Sequence, residues 1–179
     1  MNDAVGRILA RLRLYAALRV EIHGGRDAVS NMQAEITETV PRAETIVDTI
    51  GKQQTLSFDD LHHMYSGWFI YVPSYALVDT VTKMRAGDVG PMIRYLDLWS
   101  QVAAFEKSYS TAHAKLVELA DKIGEQPIRC HETACQMRGC LRRLVTVAEE
   151  LQNAADALEQ VISLEREGRL VRWLLKRFA

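Results

Sequence analysis

Apolar residues recur in steps of three, four and seven along three long stretches of this sequence, and that spacing constrains its fold more than any other feature. In the first stretch, Val5, Ile8, Leu12, Tyr15, Ile22, Val29, Met32, Ile36, Val40, Ala43, Val47 and Ile50 fall on one slowly drifting helical face. They predict a helix from about residue 3 to residue 50, roughly 70 Å long at ~1.5 Å per residue. Asn2 or Asp3 suits its N-cap and Gly51 its end, while Gly24-Gly25 and Pro41 are the expected kinks or breaks. The second stripe runs Ile93, Leu96, Trp99, Val102, Ala103, Phe105, Tyr109, Ala112, Leu116, Leu119 and Ile123, opened by Gly90-Pro91 and closed by Gly124. The third, Leu141, Leu144, Val147 or Ala148, Leu151, Ala155, Leu158 and Ile162, predicts a helix from about 129 to 167, with Gly168 bending or ending it.

Shorter elements fill the gap between the first two. Ser57-Phe58-Asp59-Asp60 has the form of a capping box, opening a short helix through Leu61, Met64 and Trp68. Pro73-Ser74 starts another that Gly87 stops. The segment Trp68-Phe69-Ile70-Tyr71-Val72 would suit a strand by composition, but no other segment offers it a partner, so it reads as a buried helix end or loop. With 10 Gly and 4 Pro in 179 residues, few long elements are expected rather than many short ones. The predicted fold is all-α: an elongated, partly coiled-coil-like bundle of three long helices and two or more short ones. It forms a single domain over residues 1–168, followed by a basic amphipathic tail over 169–179.

The net charge of −1 hides an asymmetry. Residues 1–26 carry +3 and residues 165–179 carry +3, whereas residues 27–128 carry −6. Such a distribution reads either as solvated helix faces or as two ends that meet phosphates or anionic lipid.

Motifs for chemistry are sparse. There is no Gly-rich phosphate loop, nucleophile elbow or H-E-x-x-H, so no catalytic residue and no cofactor is assigned. His62 and His63 follow Asp59 and Asp60, but neighbouring helical side chains diverge by about 100° and Asp60 has a capping role. His131 and Cys135, four apart, share a helix face and supply half of a metal site, while Cys130 and Cys140 point elsewhere. The spacing Cys-x4-Cys-x4-Cys is not that of a zinc site, and three clustered cysteines do not make a disulfide framework. They read as small buried thiols in a reducing compartment, and no metal is assigned.

Two kinds of residue remain as binding candidates. Trp68, Phe69, Tyr71 and Tyr75 are core or, exposed, an anchor patch for a protein partner. Arg7, Arg11 and Arg13 alternate with Val5, Ile8, Leu9 and Leu12; Arg169, Arg172, Lys176 and Arg177 alternate with Leu170, Val171, Trp173, Leu174, Leu175 and Phe178. Basic side chains beside an apolar stripe fit a helix lying on an anionic membrane surface, or one packed with an arginine-rich outer face. Residues 1–22 do not have the continuous apolar core of a signal peptide, and the uncharged run from Met64 to Val78 is too short to span a bilayer.

The segment Ala17-Leu18-Arg19-Val20-Glu21-Ile22, with Lys83-Met84-Arg85-Ala86-Gly87-Asp88-Val89 leading into a further helix, resembles uncharacterised bacterial helical proteins. Those have an L-R-x-E-I segment near a membrane anchor and a later small-Gly-x-apolar turn between helices. The likeness spans about the first half of the chain and implies membrane association without catalytic residues; a clear transmembrane anchor is missing here. The expected role is a structural or interaction protein that self-associates or binds a protein partner, cytoplasmic and peripheral to the inner membrane. The alternative is a nucleic-acid-associated or inhibitory protein using its basic ends, and an enzyme ranks third.

Overall fold

A computed structural model describes residues 2–64, 81, 84, 89–167 and 173, without the side chains of 2–5, 58 and 164–167. The described residues are all-α, with no strand among them. Helix α1 spans Asn2–Gly51, α2 spans Phe58–His62, α3 spans Val89–Leu119 and α4 spans Pro127–Glu167, with a 3-10 turn at Ala120–Lys122.

Helix α1 runs unbroken through both expected weak points. Gly25 is buried, and a side chain there would collide with the Tyr95 hydroxyl, so this glycine is a packing notch rather than a break. Pro41 faces solvent, where water can satisfy the carbonyl that loses its amide partner, and its own carbonyl accepts the Thr45 hydroxyl at 3.0 Å.

The seams keep a heptad phase. On α1 they pass through Tyr15, Leu18, Ile22, Gly25, Val29, Met32, Ile36, Thr39, Ala43, Ile46 and Ile50, all buried except the half-buried Met32. On α4 they pass through Cys130, Ala134, Met137, Leu141, Leu144, Ala148, Leu151, Ala155, Leu158 and Ile162, every one buried. Spacing by alternating threes and fours is that of knobs-into-holes packing. On α3 the expected stripe starts out of phase. Ile93 is 54% exposed, Ala103 is exposed and Leu96 is only half-buried, while Met92, Tyr95, Leu98 and Trp99 are buried. The aromatic ring of Tyr95 outweighs its hydroxyl in selecting the inward face.

The chain divides into two compact units, Met1–Ala28 with Tyr71–Trp99 and Glu150–Ala179, and Val29–Ile70 with Ser100–Glu149. In the first unit, Tyr15, Leu18 and Ile22 of α1, Met92, Tyr95 and Leu98 of α3, and Leu151, Ala155 and Leu158 of α4 form the interior. Ion pairs cross between α1 and α4: Glu159 meets Arg26 at 2.7 Å, Arg19 at 3.5 Å and His23 at 3.8 Å, and Arg26 also meets Asp156. Arg94 of α3 pairs with Glu150 of α4.

The second unit packs Ala43, Ile46 and Ile50 against Ala112, Leu116, Leu119, Ala134, Met137 and Leu141, with Leu56, Leu61 and Met64 as a lid over the cluster. The expected capping box is present. The Ser57 hydroxyl oxygen accepts the Asp60 amide at 3.1 Å, and the Asp60 carboxylate accepts the Ser57 amide at 3.1 Å. The Ser57 hydroxyl, which donates to the Asp60 carboxylate at 2.7 Å, and then the Ser57 amide hold the Asp60 carboxyl below its ordinary pKa. Three further bonds pin the lid: Tyr109 Oη donates to the Met64 carbonyl at 2.9 Å, His113 Nε2 lies 2.9 Å from the Leu61 carbonyl, and Arg42 Nη1 donates to the His63 carbonyl at 3.0 Å.

Candidate anion-docking face of helix α1

The heptad phase of α1 continues towards its N-terminus past Tyr15, to Arg11 and then Ile8, but burial does not. None of residues 6–14 is buried: Ile8, Leu9, Leu12 and Leu14 are half-covered, Arg11 is half-covered, and Arg7, Ala10 and Arg13 are exposed. A charged residue thus occupies the first seam position beyond the core. Among the described residues, Arg7, Ala10, Arg11, Arg13 and Leu14 line one open hollow.

The electrostatic setting of these arginines differs from that of four others in the bundle. Arg19, Arg26, Arg94 and Arg142 each face a carboxylate, the last on Glu44 at 2.6 Å, and Arg143 lies over the Phe105 ring at 5.6 Å. Arg7, Arg11 and Arg13 have no ion pair or hydrogen bond among the described side chains, which do not include those of Asp3, Glu165 and Glu167. Arg7 and Arg11, four apart, are helical neighbours whose like charges repel. Both basic termini fall in the first unit, which holds thirteen Lys and Arg against eleven Asp and Glu; the second holds nine against twelve. Of the basic tail, Trp173 is helical and 53% exposed; Arg169, Arg172, Lys176, Arg177 and Phe178 lie outside the described residues. So do Trp68, Phe69, Tyr71 and Tyr75.

A second hollow lies in the other unit, lined by Arg42, Thr45, Ile46, Thr49, Leu56, Asp59, Asp60 and His63. Its polar groups are largely committed to structure: Asp60 to the capping box, Arg42 to the His63 carbonyl, and Thr45 to the Pro41 carbonyl.

The cysteines separate by position. Cys130 and Cys140 are buried, and burial raises both thiols above their ordinary pKa; Cys130 donates to the Leu119 carbonyl at 3.6 Å. Cys135 is half-buried, with its sulfur 3.9 Å from both His131 ring nitrogens and 3.9 Å from Arg138 Nη2. His131 and Cys135 therefore do meet on one face, but no group of three or more metal-binding side chains exists among the described residues. No described helix is long and apolar enough to cross a membrane. Compared with family models, with curated proteins and with solved structures, the chain has no match.

Proposed function

We propose that this chain is a helical interaction protein that docks on an anionic membrane surface through the first turns of α1, presenting the rest of its bundle to protein partners. One observation carries the reading: the α1 seam stops being buried at Tyr15, leaving Ile8, Leu9, Leu12 and Leu14 half-covered beside Arg7, Arg11 and Arg13. Apolar side chains left partly wet next to cations match the two requirements of an interfacial helix, insertion below the headgroups and attraction to their charge. Each basic residue brought to such a surface contributes about 1 kcal/mol, weakened by salt. The half-exposed Trp173, in a tail with four more basic residues, belongs to the same unit and adds an amphipathic ring of the kind that settles at headgroup depth.

Sedimentation with lipid vesicles tests this. The protein should pellet with vesicles containing phosphatidylglycerol, remain in solution with pure phosphatidylcholine, and be released as salt rises. Equal behaviour with both vesicle types would contradict the reading. Salt-dependent retention by duplex DNA without vesicle binding would move the basic surface to nucleic acid instead.

A further inference from the structure

The back of α1 in the first unit carries an apolar residue where a bundle helix ordinarily carries charge. At about 100° per residue, Tyr15, Leu18, Ile22 and Gly25 turn to the core and Val20 lies opposite them. Val20 is 73% exposed, against 54% for Ile93 and 53% for Trp173 in the same unit. Within about 60° of Val20 on the helical wheel stand Arg13, Ala16, Ala17, His23, Gly24 and Asp27, all exposed. Between Arg13 and Asp27 this face has no Lys, Arg, Asp or Glu. The intervening Arg19 and Arg26 turn aside to Glu159 of α4, as does His23 from the edge of the face. By contrast, three of the four exposed residues on α4 between 150 and 163 are polar: Asn153, Asp156 and Gln160.

The charges that bound this face are placed symmetrically. Arg13 and Asp27 each stand seven residues from Val20, roughly 10 Å along the axis in opposite directions. Neither has an ion pair or hydrogen bond among the described side chains. Ala16 and Gly24 stand four residues from Val20 on either side. Such a face is complementary to itself when turned end for end. A two-fold axis through Val20 sets Arg13 of each copy beside Asp27 of the other, and Ala16 beside Gly24, where small side chains let the helices approach closely. A parallel pairing would oppose Arg13 to Arg13 and Asp27 to Asp27, and an anionic surface laid on the same face would meet the Asp27 carboxylate. We propose that this chain forms an antiparallel homodimer through the back of α1, with Val20 on the two-fold axis. A single helix face on each side makes a small interface, so the dimer dissociates in the micromolar range. It does not rest on the membrane-docking reading: pairing occupies Arg13 and leaves Arg7 and Arg11 for an anionic surface.

Sedimentation velocity of the full chain, from micromolar to near-millimolar concentration, tests this. It should show a reversible monomer–dimer equilibrium that weakens as salt rises. Arg13→Asp and Asp27→Arg, each alone, bring like charges together at both ends of the contact and should raise the dissociation constant by at least about ten-fold. The chain carrying both exchanges restores both pairs and should dimerise as the parent does. An equimolar mixture of the two single variants should dimerise as well, because each supplies the charges the other needs. Val20→Asp sets two carboxylates against each other on the axis and should leave only monomer. All three positions are exposed, so helicity and melting temperature of dilute samples should not change. A full chain that stays monomeric over the whole range overturns the dimer. So does a dimer that neither single charge reversal weakens, or a pair of single variants that stays monomeric when mixed although the parent dimerises.

Discussion

The two units solve the same packing problem with different completeness. In the second, buried polar side chains are answered: Tyr109 by the Met64 carbonyl, His113 by the Leu61 carbonyl, Thr39 by the Glu35 carbonyl and Thr133 by the Arg129 carbonyl. In the first, the Tyr95 hydroxyl is buried against Gly25. The Trp99 indole lies beside it, yet no hydrogen bond of acceptable geometry reaches that hydroxyl from the described residues. Burial accordingly raises its pKa, with Trp99 drawing it partly back. The first unit also carries more of the cross-helix ion pairs, against the single Arg142–Glu44 pair described in the second, and leaves three arginines at one end without partners among the described side chains. On the proposed reading, the half-covered apolar residues beside those arginines are where the chain meets a membrane surface.

Substitutions can sharpen that contrast, beginning with the largest effect. Leu141→Ala removes a fully buried side chain from the second unit's core and should cost about 2–5 kcal/mol in chemical denaturation, through lost transfer energy and a cavity. A loss below about 1 kcal/mol would mean that this core is not the packed one described. Gly25→Ala forces the buried Tyr95 ring to move and should destabilise by about 1–3 kcal/mol. By contrast, Gly139→Ala, with open space around the new methyl, should stabilise by about 0.5–1 kcal/mol through helix propensity. Equal signs for the two glycines would remove the packing role given to Gly25.

Two of the buried tyrosines, Tyr95 and Tyr109, make a closer comparison. Tyr109→Phe strands the Met64 carbonyl and should cost about 1–3 kcal/mol. Tyr95→Phe deletes a hydroxyl without a geometrically sound partner and should be neutral or slightly stabilising, within about 1 kcal/mol. If Tyr95→Phe proved the costlier of the two, the difference drawn between the units would be wrong. Smaller than the core changes is the capping box, where Asp60→Ala should cost about 1 kcal/mol near neutral pH. Because the folded-state pKa of Asp60 is lowered, that contribution is complete above the unfolded value and is lost as pH falls through the folded one. The stability gap between Asp60→Ala and the parent chain should therefore narrow on acidification. A gap that widened would contradict the assignment.

What was legible in the sequence follows from which signals are local. Periodicity revealed all three long helices, because a buried stripe repeats many times and tolerates a few misread positions. The capping box was legible because both its bonds join Ser57 to Asp60, three residues on. The phase of early α3 was misread: Ile93 and Leu96 look more apolar than Met92 and Tyr95, and only the partner helix decides which set turns inward. Gly25 looked like a helix breaker because the reason for a glycine there, the Tyr95 hydroxyl, is seventy positions away. Of the candidate site, Arg7, Arg11 and Arg13 were readable as a basic amphipathic start. That other arginines are paired and these are not depends on Glu44, Glu150, Asp156 and Glu159, which only the fold brings near.

Hydrogen exchange followed along the whole chain, with and without anionic vesicles, tests the central claim most directly. Docking through the first turns of α1 predicts that amides of residues 6–14 exchange more slowly when vesicles are present, while those of α2 and of α4 from 127 to 149 are unchanged. Protection appearing in the second unit, with residues 6–14 unaffected, would contradict the account.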